Sequence, residues 1–223
     1  MEKYFSILEG CALFSGIEKE DIPGLLACLG ATERSFRRQQ QILSEGEPAR
    51  FVGILLSGSA QVVSQDIYGN RNIVGRVRPG QLFGESFACA GAESLPVSVV
   101  AEENCDAMLI DCRRITTACS NACGFHNQMI YNLLQAVAQK NLQFHQRLEI
   151  TQKRTTREKL MAFLLGEAKA AGSREFTIGF DRQALADYLG VERSAMSAEL
   201  SKLRRDGVLE ASGSHFRLLN KNL

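Results

Sequence analysis

Residues 180–219 read FDRQALADYLGVERSAMSAELSKLRRDGVLEASGSHFRLL, and this segment decides the fold of the chain. Asp181 is suited to cap a helix that runs to Leu189, and Gly190 permits a sharp turn after it. A second helix is expected from about Arg193 to Arg205, with Gly207 as its stop. Ala184, Leu185, Leu189, Val191, Met196, Leu200 and Leu203 supply the apolar contacts between the two helices. The runs 208–210 and 216–218 then read as a small β-hairpin. Two helices joined by a tight turn and followed by a hairpin form a winged helix-turn-helix, which places one helix in the major groove of double-stranded DNA.

The second helix has the composition for that task. Arg193, Ser194, Ser197, Ser201 and Lys202 lie on its polar face. Serines let a helix come close to base edges, and an Arg at its N-terminal end can give two hydrogen bonds to guanine O6 and N7. Arg182, Lys202, Arg204 and Arg205 are placed to meet phosphates, which adds affinity without sequence information. The competing reading is a solvated face in a protein-interaction module. The turn, the basic flanks and the wing together favour DNA.

Upstream, Thr155 followed by Glu158 is a capping box, so a helix starts near Thr156; it stops at Gly172. The basic, polar run 152–157 is then a hinge. Before it, Ile130, Leu134, Val137, Asn141, Phe144, Leu148 and Thr151 recur at steps of four and three. A narrow seam with period 3.5 suits a helix that pairs with a second helix, and a single Asn in such a seam fixes register. We read it as a homodimer helix with Asn141 as the register residue; the alternative is a helix packed on its own domain.

Charge follows the same division. Residues 152–223 carry 13 Lys and Arg against 9 Asp and Glu, whereas residues 1–151 carry 13 against 16. A basic C-terminal third fits a nucleic-acid partner, although an excess of this size is a weak signal alone. No apolar run approaches the ~20 residues of a membrane helix. The start, MEKYFSILEG, lacks the basic region and apolar core of a secretory signal. Seven Cys without such a signal point to free thiols in a reducing cytoplasm.

Towards the N-terminus the texture is different. Ile17, Leu25, Leu26 and Leu29 recur at helical spacing, with Pro23 at a turn or helix start. From Ser35 to Asp111 short β-prone runs are separated by turn residues, and 60–65 with a Tyr68-Gly69 turn reads as a hairpin. That spacing predicts a compact β-roll or sandwich. Within it stands PGQLFGESFACAGAESLPVSVVA at 79–101. Its glycines and the GES turn have the look of an anion cradle, yet no Arg or Lys lies between Glu93 and Glu102.

With these elements in order, the chain resembles the catabolite-activator and fumarate-nitrate-reduction (CRP/FNR) family of bacterial transcription regulators along nearly its whole length. The segments that carry the resemblance are GEPARFVGILLSGSAQV, PGQLFGES, the long seam helix and DRQALADYLGVERSAMSAELSKLRRDGVL, with Gly46, Gly58, Gly80 and Gly84 at the family's glycine positions. The resemblance implies an α+β architecture: an effector-binding β-roll at 1–124, a dimerisation helix at 125–151 and a winged helix-turn-helix at 152–223. It also implies a cytoplasmic homodimer on a near-palindromic operator, working with RNA polymerase.

Residue by residue the match has gaps. The family's recognition helix often carries Arg-Glu near its start and a further Arg four residues after the Glu. Here Arg193 matches, while Ser194 and Ala198 stand at the other two places, so the operator differs. In cyclic-nucleotide members a Glu holds the ribose and an Arg-Ser or Arg-Thr pair about ten residues later holds the phosphate. Glu85 matches the first, and Leu95-Pro96 occupies the second. A buried phosphate without a cation costs several kcal/mol, which argues against cyclic AMP, although backbone amides near Glu85 and Ser86 offset part of it. The expected pocket consists of Leu82, Phe83, Gly84, Glu85, Ser86, Phe87, Pro96, Val97 and Ser98. Its occupant is either a small aromatic or organic-acid effector or the chain's own side chains.

Cys112, Cys119, Cys123 and His126 are spaced C-x6-C-x3-C-x2-H. On a helix the last three share a face, which leaves a metal site, a cluster or a thiol-based redox sensor open beside plain buried cysteines. The spacing is not that of a zinc finger. No Ser-His-Asp set, phosphate-binding loop or metalloprotease motif supports an enzyme.

Overall fold

The computed structural model describes residues 2–65, 71–117 and 124–219. By packing, the chain divides into units 1–139 and 140–223, and the division falls inside one long helix.

The first unit opens with α1 (Phe5–Glu9) and α2 (Ile22–Cys28), the latter with Pro23 in its first turn, where a missing N–H is harmless. Eight strands follow: β1 (Thr32–Phe36), β2 (Gln41–Leu43), β3 (Phe51–Ser57), β4 (Ala60–Gln65), β5 (Arg71–Val77), β6 (Leu82–Phe83), β7 (Ser98–Ala101) and β8 (Cys105–Asp111). Helix α3 (Glu85–Cys89) lies between β6 and β7, and α4 (Cys112–Thr116) follows β8. The strands form two antiparallel four-stranded sheets, ordered β1-β8-β3-β6 and β2-β7-β4-β5. The Tyr68-Gly69 turn lies outside the described residues; β4 and β5 on either side of it pair as expected.

Period-2 alternation explains why β3 and β8 read as unbroken apolar runs. Val52, Ile54 and Leu56 of β3, with Met108 and Ile110 of β8, belong to a cluster shared with Leu8, Phe14, Ile22 and Leu26 of the N-terminal segment. Leu55, Ala107 and Leu109 face the other way, into a second cluster with Phe36, Leu43, Phe83 and Val99. Both faces of this sheet are therefore covered.

Helix α5 (Gly124–Thr151) begins on the first cluster, to which Met129 and Leu133 belong. Buried Asn132 donates from Nδ2 to the carbonyls of Leu13 (2.9 Å) and Ser15 (2.8 Å), which fixes the helix against the N-terminal segment. The seam residues divide. Ile130 and Val137 are half-buried, and Val137 packs on the first cluster; Leu134, Asn141, Phe144 and Leu148 are exposed.

The second unit contains α6 (Thr156–Ala171), β9 (Glu175–Thr177), α7 (Arg182–Leu189), α8 (Arg193–Arg205), β10 (Leu209–Ser212) and β11 (His215–Leu218). Thr155 and Glu158 form the expected capping box, and Gly172 ends α6 in the left-handed region at φ 60°. Asp181 accepts from the amide of Ala184 at 2.8 Å, as a cap should. The wing is three-stranded, ordered β10-β11-β9. Leu164, Leu185, Ala186, Leu189, Met196, Leu203 and Phe216 fill its core.

Candidate nucleic-acid interface and effector cassette

On α8, Met196, Leu200 and Leu203 are buried, which turns the opposite face outward. At 100° per residue that outward face is Ser194, Ser197, Ala198, Ser201 and Arg205, with Arg193 and Arg204 on one rim and Lys202 on the other. All eight are exposed. The small side chains leave the backbone of this face open. Ser201 bonds to the carbonyl of Ser197 at 2.9 Å, and Lys202 pairs with Glu199 at 3.3 Å. Glu199 also meets Arg157 of α6 at 3.3 Å, and the same guanidinium reaches Asp206 at 3.1 Å, so α6 holds the C-terminal half of α8. A hollow of about 530 Å3 lies beside it, lined by Ser201, Arg204, Arg205, Leu209, Glu210 and Leu219.

Arg182 is half-buried, and its guanidinium lies over the ring of Phe216, 5.1 Å from the centroid. Burial first, and the charge of Arg204 second, push its pKa below the ordinary arginine value.

In the cassette, Gly84 precedes α3 with φ 76°; a Cβ there would lie 2.8 Å from the carbonyl oxygen of Phe51, so no side chain fits. Glu85 opens α3 and is 2% exposed, with the hydroxyl of Ser86 donating to its Oε1 at 3.2 Å. Phe87 packs partly against the second cluster. Ser98 is buried and its hydroxyl accepts from the amide of Glu45 at 3.0 Å.

Two expected lining residues are elsewhere. Leu82 and Phe83 are neighbours on β6 and so face opposite sides: Phe83 joins the interior cluster, whereas Leu82 joins the cluster beneath the N-terminal helices. Pro96 is exposed and Val97 only half-buried. Leu95 is the residue that turns inward. It is 4% exposed within the second cluster, with its amide on the carbonyl of Glu47 (2.8 Å) and its own carbonyl accepting from Gly46 (2.9 Å). Sequence reading named Leu95 as a replacement but missed that it fills the interior, which depends on its loop contacts with Gly46 and Glu47, almost fifty residues upstream.

Cys119 and Cys123 lie outside the described residues. Cys112 and His126 are on different helices, and His126, 3% exposed, bonds through Nε2 to the carbonyl of Arg114 at 3.1 Å. Among the described residues no three His, Cys, Asp or Glu side chains group as a metal site.

An open, cation-rimmed helix face on a winged helix-turn-helix, joined to a β-roll, defines a DNA-binding regulator. Comparison with known proteins agrees on both halves. Residues 33–121 match the cyclic nucleotide-binding domain, and residues 158–222 match the Crp-like helix-turn-helix domain. The transcriptional activator protein Anr of Pseudomonas aeruginosa is 21% identical over 192 residues, 84% of this chain and 76% of that protein. The structure of FixK2 from Bradyrhizobium japonicum is 25% identical, covers 86% of this chain and 93% of its own, and superposes with a TM-score of 0.54. The c-di-GMP responsive global regulator CLP of Xanthomonas campestris shares the fold at 18% identity, with 92% of this chain and 100% of that chain covered and a TM-score of 0.61. The chain belongs to the CRP/FNR family of transcriptional regulators.

Proposed function

We propose that this regulator is a cytoplasmic homodimer that inserts α8 into successive major grooves of a near-palindromic operator, has no enzymatic activity, and acts without cyclic AMP. The outward face of α8 carries the reading: small polar side chains over an open backbone, with cations at both rims. Arg193 reads base edges with Ser194, Ser197 and Ser201 around it. Arg182, Lys202, Arg204 and Arg205 meet phosphates. Lys202, itself exposed, can leave its pair with Glu199, because Glu199 keeps the guanidinium of Arg157 as a second partner. The exposed seam residues Leu134, Asn141, Phe144 and Leu148 face the partner helix, and contact with RNA polymerase follows from the activators among its relatives.

The test is fluorescence anisotropy with labelled fragments from upstream of the chain's own gene, at several salt concentrations. One fragment should bind in preference to the rest, and log K should fall linearly with log salt by ~0.9 per phosphate contact. Failure of every fragment at low salt would overturn the DNA reading.

A second reading keeps a cyclic nucleotide, because the domain match at 33–121 and the buried Glu85 belong to that class. Leu95 stands against it, since it puts an apolar side chain where the phosphate clamp is expected. A rise in melting temperature with cyclic AMP decides for the nucleotide, and its absence decides for the filled pocket.

A further inference from the structure

Cys89 ends α3 and Cys112 opens α4. Their sulfur atoms lie 3.7 Å apart, although 23 residues separate them in sequence. Cys89 is exposed, and Cys112 beside it is buried. One sulfur is therefore open to a small reagent and the other is held directly behind it. A disulfide bond is ~2.05 Å long, so side-chain rotation at the ends of two short helices suffices to close the gap. The two sulfurs share a hydrogen bond, and exposure makes Cys89 the one that an oxidant meets first.

We propose that Cys89 and Cys112 form a reversible disulfide that ties α3 to α4, with a hydroperoxide as the oxidant. The exposed Cys89 sulfur, as thiolate, attacks one peroxide oxygen, the O–O bond breaks, and with one proton taken up the products are a sulfenic acid and, from hydrogen peroxide, water. The Cys112 sulfur, 3.7 Å away, then attacks the Cys89 sulfur; the S–O bond breaks, the S–S bond forms, and the oxygen leaves as a second water with the Cys112 proton. Two thiols and one hydrogen peroxide become one disulfide and two waters, and a dithiol reductant reverses the change. The bond would fix the helix that carries Glu85 to the helix whose Arg114 carbonyl holds His126 of α5. This site is separate from the filled interior beside Leu95 and does not rest on the nucleotide reading.

The full-length protein, reduced and freed of reductant without oxygen, is treated with equimolar hydrogen peroxide, and its remaining thiols are alkylated. Digestion with trypsin and a glutamate-specific protease separates residues 86–93 from 104–113. The expected product is these two peptides joined, with fragment ions assigning the bond to Cys112 and not Cys105, a loss of two free thiols per chain, and full recovery with dithiothreitol. Cys105→Ser should leave the cross-link intact. Cys112→Ser should abolish it and leave Cys89 as a sulfenic acid that dimedone traps. Three results overturn the proposal: peptides that stay unlinked after peroxide, Cys112 joined to Cys119 or Cys123 instead, or a stoichiometric metal that shields Cys89 and Cys112 from alkylation.

Discussion

Leu134→Ala is the sharpest probe of the dimer seam. Leu134 is 65% exposed on the single chain. Full burial of a leucine side chain contributes ~1.5–3 kcal/mol, so about two thirds of that, roughly 1–2 kcal/mol, is still available to a partner helix. A two-fold axis uses each residue twice, which makes the loss on truncation about 2–4 kcal/mol for the dimer. At 1.4 kcal/mol per tenfold, the dissociation constant should rise by about 30- to 700-fold. Sedimentation velocity over a concentration series measures it, and the far-UV circular dichroism spectrum should not change, because the side chain supports no core of its own chain. Val137 is a poorer target, since it packs on the first cluster and its loss mixes folding with assembly. A dissociation constant within threefold of the parent, with an unchanged spectrum, would refute the seam.

Other outcomes follow from the site and the roll. Arg193→Ala should weaken operator binding by ~1–3 kcal/mol and relax preference at one base pair, whereas Arg205→Ala should weaken specific and random DNA alike; equal loss on all sequences for both variants would remove Arg193 from base reading. Asp106 is held below the usual carboxylate range by the hydroxyls of Ser35 and Tyr4, with Ser57 and Lys3 adding to it. Its contribution is complete above the unfolded carboxylate pKa and is lost as pH falls through the lower folded value. Asp106→Asn should therefore cost about 1–2 kcal/mol in urea unfolding at neutral pH and progressively less in acid; a cost that stays the same at both pH values would mean that shape, not charge, matters there. Thr155→Ala should destabilise the C-terminal unit by ~1 kcal/mol through its lost cap, read as a lower urea midpoint with an unchanged slope.

What could be read from sequence was what is local. The Thr155-Glu158 box and the Asp181 cap close within three residues, so their spacing states their geometry. The helix-turn-helix core was legible for the same reason, apart from Ala186, which is buried but was not counted among the contacts. Sidedness across the roll was harder. Leu82 and Phe83 are neighbours that part to different environments, and the pairing of β6 with β3 decides which turns inward. Leu95 turns inward beside exposed Pro96 through loop hydrogen bonds to Gly46 and Glu47. Asn132 was overlooked because its partners are carbonyls of Leu13 and Ser15, more than a hundred residues away. The meeting of Cys89 with Cys112 likewise depends on β6 and β8, which lead into α3 and α4, both pairing with β3, and no spacing rule announces it.

Leu95 limits what a single substitution at this position can do. Leu95→Arg would put a charge into the interior of the roll, where the leucine is 4% exposed among apolar neighbours, and its desolvation without an anion would cost several kcal/mol. A cationic clamp at this place therefore takes more than one change: the cluster around it has to open in the same step.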